Sequence, residues 1–436
     1  MKTRRAFALL LIFALASVAA LAEAIEVTCP SCGQRVTGDA NYRYCPYCAV
    51  SLIGPTPESV EVHDGEEYIF KNSGIETAVR KEIDKPEGPL YIDELAEITN
   101  LVIYDVAIED DISDLVVMPD LEYLVLGYTE NISDISVLSS LKRLNGLGLY
   151  GNRISDLSPL KDLSELEEIF IGDNLISDLT PLEGLTKLRR LSLYNNKITD
   201  ISPLSRLTLL EELSFSSNGV TDISSLSGLK HLRELDFYEN KVSDISPLAG
   251  LTELEKLDVQ GNEIRDISDL SGLTKLEKLD LSGPGNALVN LSSLEGMTSL
   301  VKLRVSLDDN TSDISSLGAL LCIQELDISG KGIRDISCLS GLKDLVSLHI
   351  SDGTIRDISP LSSLTKLTSL RLSCCKVQDI SPLAGLSRLV ELELFGNEIT
   401  DISALAGLPD LKVVELSGNP VKDYSPVDHV LQVDRD

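Results

Sequence analysis

The chain has 436 residues, beyond the roughly 250–300 at which one hydrophobic core stops growing, so it either divides into domains or repeats a small unit along one axis. Lys and Arg total 38 against 69 Asp and Glu, a net charge of -31, which excludes a cationic nucleic-acid surface or attachment to an anionic membrane as the main mode of action. Hydrophobic residues at 43% exclude disorder throughout, and four His with no Trp leave little material for a His-based catalytic centre.

The first elements set the compartment. Lys2, Arg4 and Arg5 precede an apolar run over 6–21, and Ala20-Leu21-Ala22 and Ala22-Glu23-Ala24 both fit a small-residue cleavage site. Residues 1–24 therefore read as a secretory signal peptide, which predicts a secreted or extracytoplasmic protein, in the periplasm or at the cell surface. Thr3-Arg4-Arg5-Ala6-Phe7 also resembles the start of a twin-arginine export signal. No later run is long and apolar enough to span a membrane.

Residues 25–54 carry two C-x-x-C pairs, Cys29-Pro30-Ser31-Cys32-Gly33 and Cys45-Pro46-Tyr47-Cys48, with 12 residues between them. Two thiolate pairs at such a spacing can converge on one tetrahedral Zn2+ and fold a segment too short to own a core. The pattern resembles a bacterial zinc ribbon with C-P-x-C-G knuckles, although Ala49 stands where the second knuckle usually has Gly. The resemblance implies a structural Zn2+ held by Cys29, Cys32, Cys45 and Cys48, with no position left open for a catalytic water. Outside the cytosol the same four cysteines can instead form two disulfides, and thiol exchange is a third option.

Residues 55–65, with Pro55 and Pro57, read as a linker. Over 66–100, Ser73 with Glu76 makes a capping box, and Ile75, Ala78, Val79 and Ile83 give a helical apolar face that Pro86, Gly88 and Pro89 end. A second short helix is predicted over 93–98. Placed just before a repeat array, these helices read as its N-terminal cap.

From about residue 100 one unit recurs. Leu188-Arg189-Arg190-Leu191-Ser192-Leu193-Tyr194-Asn195-Asn196-Lys197-Ile198-Thr199-Asp200-Ile201-Ser202-Pro203-Leu204 is one copy. Its Asp recurs from Asp111 to Asp423, replaced once by Asn290, and eleven of the fourteen intervals are 22 residues. This is the leucine-rich-repeat signature in about fifteen copies over 101–424. Leu191 and Leu193 alternate with polar neighbours, the period of a strand with one buried face. Asn196 is placed to bond the backbone of the adjacent turn, Ser202-Pro203 predicts an N-cap and a short 3-10 or helical turn, and Asp200 is placed to accept backbone N–H groups at the corner. The fold expected is an α/β solenoid, a horseshoe with a parallel β-sheet on the concave face and 3-10 or helical turns on the convex face. Residues 425–436, including Val427, Val430 and Leu431, are expected to cover its far end.

The 22-residue turn with D-I-S-P-L resembles the internalin-like leucine-rich repeats of bacterial surface and secreted proteins, over roughly residues 66 to 426. For that family the resemblance implies a curved solenoid whose concave sheet binds another protein. Read in register, the residue after the second strand leucine is Tyr104, Tyr150, Tyr194, Tyr238 or Phe395 in some turns and Gly, Ser or Gln in others, with Tyr128 and Phe170 beside this line. Exposed aromatics on a rigid sheet are usual interface anchors, so these seven are the candidate partner-binding residues. Asp236, Asp258 and Asp280 occupy the middle strand position of consecutive turns. Lys256 and Lys278 are expected to pair sideways with Asp258 and Asp280. Neither a catalytic triad nor an open metal site nor a phosphate loop is visible, so the expectation is a non-enzymatic binding scaffold for a protein or peptide. The alternative is a structural envelope protein that assembles through its N-terminal four-cysteine module.

Overall fold

The computed structural model describes residues 25–28, 35–38, 65–106 and 108–435, in two compact units divided between Asp64 and Gly65. In the first, β1 (Ile25–Thr28) pairs antiparallel with β2 (Arg35–Gly38). The signal-peptide residues 1–24 and Cys29, Cys32, Cys45 and Cys48 lie outside the described residues.

The second unit begins with β3 (Glu67–Tyr68) antiparallel to β4 (Leu90–Tyr91), flanked by α1 (Ser73–Glu82) and α2 (Ile92–Ala96). The apolar spacing of α1 puts Ile75 and Val79 on one face, and both are fully buried. Its N-cap is Asn72 rather than Ser73: the Asn72 Oδ1 accepts the N–H groups of Gly74 at 3.0 Å and Ile75 at 3.2 Å. The amide does more than a hydroxyl could, because its Nδ2 also donates to the carbonyls of Glu109 and Asp111 at 3.0 Å each. Asp114, fully buried, accepts from the Asn72 N–H at 2.8 Å and the Tyr68 hydroxyl at 2.8 Å. The cap is thereby bonded, not merely leaned, onto the first repeat.

Sixteen strands follow, from β5 (Asn100–Tyr104) to β20 (Gln432–Asp434), and pair parallel in unbroken chain order as one open sheet. Within one turn Leu185, Leu188, Leu191, Leu193, Ile198, Ile201 and Leu204 are each at most 2% exposed. Every turn therefore presents two flat apolar faces, and only stacking against neighbours buries them.

Two polar devices shape each turn. At the outer corner Asp200 Oδ1 accepts the Ser202 N–H at 2.8 Å, and the same bond recurs from Asp111 to Asp423, with Asn290 serving equally well. Ser202 is thus not the cap but the first residue of the 3-10 segment Ser202–Arg206; the short Asp side chain reaches the N–H two residues on and takes that role. At the inner corner Asn196 Nδ2 donates to the carbonyls of Leu193 and Tyr194 in its own turn and Ile171 in the preceding one, while its Oδ1 accepts the Ile176 N–H. The far end is closed differently from expectation. Val427 is fully buried and Val430 partly so, but Leu431 is 85% exposed, and Val433 of β20 takes the inward place opposite Val414.

Candidate protein-binding face

The outward positions of the strands form columns, one residue per turn, roughly 4.8 Å apart. In the first turns the column expected to carry free aromatic anchors instead carries rings that lie down. A methyl group added at Gly127 would strike the Tyr150 ring, one at Gly151 the Tyr128 ring, and one at Gly172 the Tyr194 ring. The small residues between the tyrosines are therefore the floor on which the rings rest. Tyr128 meets Tyr104 edge-on at 5.6 Å between centroids and Tyr150 at 5.3 Å, and Tyr104 stands 5.9 Å from Tyr150. The hydroxyls of Tyr128 and Tyr194 are 3.2 Å apart, and Tyr128 donates to Asp173 at 3.3 Å. Burial pushes the Tyr150 and Tyr194 phenols far above their ordinary range, so both are neutral hydroxyls.

The structure thus joins Tyr104, Tyr128, Tyr150 and Tyr194 into one cluster. Phe170 lies beside it in the middle column, only 7% exposed, and Tyr150 is equally covered. Tyr238 is half-buried two turns further on, and Phe395, 46% exposed, stands nine turns from Tyr194. Tyr123 was missed by reading one column alone. It sits in the first column, over Gly146, with its hydroxyl buried, and a large residue facing a Gly one turn away was the available signal.

Beyond the aromatics the middle column turns acidic. Asp236, Asp258 and Asp280 are directly paired in parallel register. Asp236 accepts the hydroxyl of Ser216 and the Tyr238 N–H, Asp258 the Gln260 N–H at 3.0 Å, and Asp280 the Ser282 N–H at 3.0 Å. The expected sideways pairs do not form: Lys256 bonds Glu234 in its own column, and Asp280 pairs with Arg304 at 3.4 Å. Directly opposed side chains on adjacent strands are closer than neighbours two residues along one strand, which decides the choice. Burial, then the charges of Asp280 and Asp236, push the Asp258 carboxyl up to about 7. Among the described residues no three His, Cys, Asp or Glu side chains converge as metal ligands.

Comparison with known proteins fixes the family. A model for leucine-rich repeats in two copies matches in overlapping windows from 142–184 to 252–295 and again over 387–429, and a single-repeat model matches 363–380. An internalin (inlF) from Listeria monocytogenes is 30% identical, over 84% of this chain and 96% of its own, with a TM-score of 0.61. The chain belongs to the internalin-like leucine-rich-repeat family. The same fold is seen at 21% identity in a leucine-rich-repeat protein of Leptospira interrogans (TM-score 0.67, 76% of this chain and 93% of that one). It is seen again at 19% identity in the functional domain of InlJ from Listeria monocytogenes (TM-score 0.64, 80% of each chain). That InlJ domain includes a cysteine ladder; in this internalin-like array most rungs are Asn, and Cys375 stands at one of the positions where Asn is replaced. No curated protein matches the chain in sequence. Arrays of this kind are protein-interaction scaffolds, and among the described residues no helix is long and apolar enough to cross a membrane.

Proposed function

We propose that this chain is an exported, non-catalytic binding protein that grips a protein or peptide partner on the concave face of its repeats. The observation that carries this reading is the tyrosine cluster: rings already pinned by glycines and by one another lose little freedom on binding, the property that makes aromatic side chains effective anchors. Replacing Tyr104 and Tyr194 together by Ala should weaken capture of a partner from the native envelope by about 2 kcal/mol or more, with the melting temperature monitored in parallel. Unchanged capture by a folded double variant removes the proposal.

A second reading assigns docking to residues 25–54, which belong to the separate N-terminal unit. The antiparallel pairing of β1 with β2 supports a compact module there, because the segment joining them carries Cys29 and Cys32. In this reading Cys29, Cys32, Cys45 and Cys48 hold one structural Zn2+. Deleting 25–54 should then abolish assembly while leaving concave-face capture intact, and metal analysis with thiol titration of the purified chain separates zinc from disulfides.

A further inference from the structure

On the reading that the concave face is the docking surface, we infer that its partner presents an apolar or aromatic side chain and a Lys or Arg roughly 10–14 Å away, the first resting on the tyrosine cluster and the second entering between Asp236 and Asp258. The face is divided along its length. Its middle column begins with Val102, Val125 and Gly148, reaches Phe170, passes through Ser192 and Ser214, and only then becomes Asp236 and Asp258. Tyr194, the ring of the cluster nearest the acidic pair and two turns from Asp236, is partly exposed, so this edge of the cluster is open to contact. The two serines between the zones are short enough for a partner backbone to pass over them.

The charge pattern identifies the second group. Further along, Arg304 pairs with Asp280 at 3.4 Å and Arg371 with Glu393 at 3.2 Å, His349 Nδ1 lies 3.0 Å from Asp327, and Glu415 accepts from the N–H and hydroxyl of Ser417. Asp236 and Asp258 face one another with no cation in ion-pair reach among the described residues, because the neighbouring Lys256 is held by Glu234, and unlike the opposed pair Glu415 and Asp434 at the far end they follow the aromatic zone within two turns. Two half-buried carboxylates opposed at one strand spacing repel, and a cation placed between them relieves the repulsion. In the free protein burial, then the charges of Asp280 and Asp236, already hold the Asp258 carboxyl above its ordinary range.

The test is selection of a phage-displayed library of linear peptides on the full chain, with counter-screening on Asp236→Asn/Asp258→Asn and on Tyr104→Ala/Tyr194→Ala. Selected peptides should pair an aromatic or large aliphatic residue with a Lys or Arg about four residues away, and should bind at least tenfold more weakly to either double variant. Because the protein has no Trp, a Trp in the synthetic peptide reports binding by fluorescence without background. Peptides that need the tyrosines but bind the Asn variant equally well overturn the inference and leave concave-face binding standing. Peptides indifferent to both pairs, or no enrichment at all, overturn both. A dimer in light scattering that the Asn substitutions dissolve would assign the face to a second copy and overturn it as well.

Discussion

The turns between residues 146 and 262 and those between 302 and 373 look alike in section but close their strands differently. In the first group the strands are three residues long, as in Arg190–Ser192 and Glu212–Ser214, and the carbonyl after them is taken by side chains: Leu193 O accepts from Asn196 and Asn218. In the second group the strands are five residues long, Glu325–Ser329 and Ser347–Ser351 among them, and backbone pairing runs on through Ile328 opposite Ile350 and Ser329 opposite Ser351. There the Asn position is filled by Lys331, Gly353 and Cys375. A buried carbonyl needs a partner, and the two regions show that a side-chain amide and two further residues of ladder are interchangeable ways to supply one. The leucine-rich-repeat models leave 296–362 unmatched, a stretch that holds three of these four five-residue strands, while Ser369–Ser373 lies within the single-repeat match over 363–380.

The sharpest way to break the comparison is to remove a rung. Asn218→Ala orphans the Ile198 N–H and takes one of two donors from each of the carbonyls of Leu193, Phe215 and Ser216, which keep Asn196, Asn240 and the Asn195 N–H. It should cost about 3 kcal/mol in urea unfolding, against about 1 kcal/mol or less for Cys375→Ala, whose thiol makes only long contacts to Ile350 O and Ser373 O. Equal costs would mean that the Asn rungs contribute nothing the backbone does not.

Acid separates the corners from the rungs. Asp222, Asp244, Asp379 and Asp401 are held below the usual carboxylate range by the backbone N–H and then the hydroxyl of the Ser two residues on. A lowered carboxyl pKa stabilises the fold above the ordinary value near 4 and that contribution is lost as pH falls through the folded value. Replacing all four by Asn, the residue that already serves at position 290, should shift the acid unfolding midpoint seen by circular dichroism to lower pH. The Asn rungs do not titrate, so Asn218→Ala should lower stability by the same amount at pH 4 and pH 8.

Asp258 carries the opposite sign. Its folded pKa of about 7 lies above the ordinary carboxylate value, so the stability it contributes is complete below that value and is lost as pH rises through 7. Asp258→Asn should therefore raise stability at pH 8 by on the order of 1 kcal/mol, with the gain fading towards pH 5, as read from urea midpoints at the two pH values. The smallest effect is expected from Cys375→Asn. The new amide can reach the carbonyls the thiol now touches, and the change should be neutral or stabilising by less than about 1 kcal/mol.

Much of this molecule was legible in the sequence because its rules act at fixed offsets. The 22-residue spacing gave the turn, the Leu alternation the sheet, the recurrent Asn and Asp the inner and outer corners, and the family resemblance followed. What escaped was set by contacts between turns rather than within one. Tyr150 and Tyr194 were expected to stand free, yet Gly127 and Gly172 in the preceding turns let them lie flat. Lys256 was assigned to Asp258, but Glu234 in the preceding turn is the nearer partner. Ser73 fitted a capping box, while Asn72 had a second use for its amide against Glu109 and Asp111. In each case the deciding neighbour is far off in sequence and its side-chain direction is not encoded by spacing.

The way each inner Asn reaches back bears on how such a protein changes length over time. Asn196 bonds its own coil and the one before it, and it receives a bond from that earlier coil as well. Duplicating or excising a whole 22-residue coil therefore presents every remaining amide with the same set of carbonyls. Loss of a single residue would misalign two coils at once. Selection can thus lengthen or shorten this array in integer steps, trying new inner walls without first having to rebuild the stack that carries them.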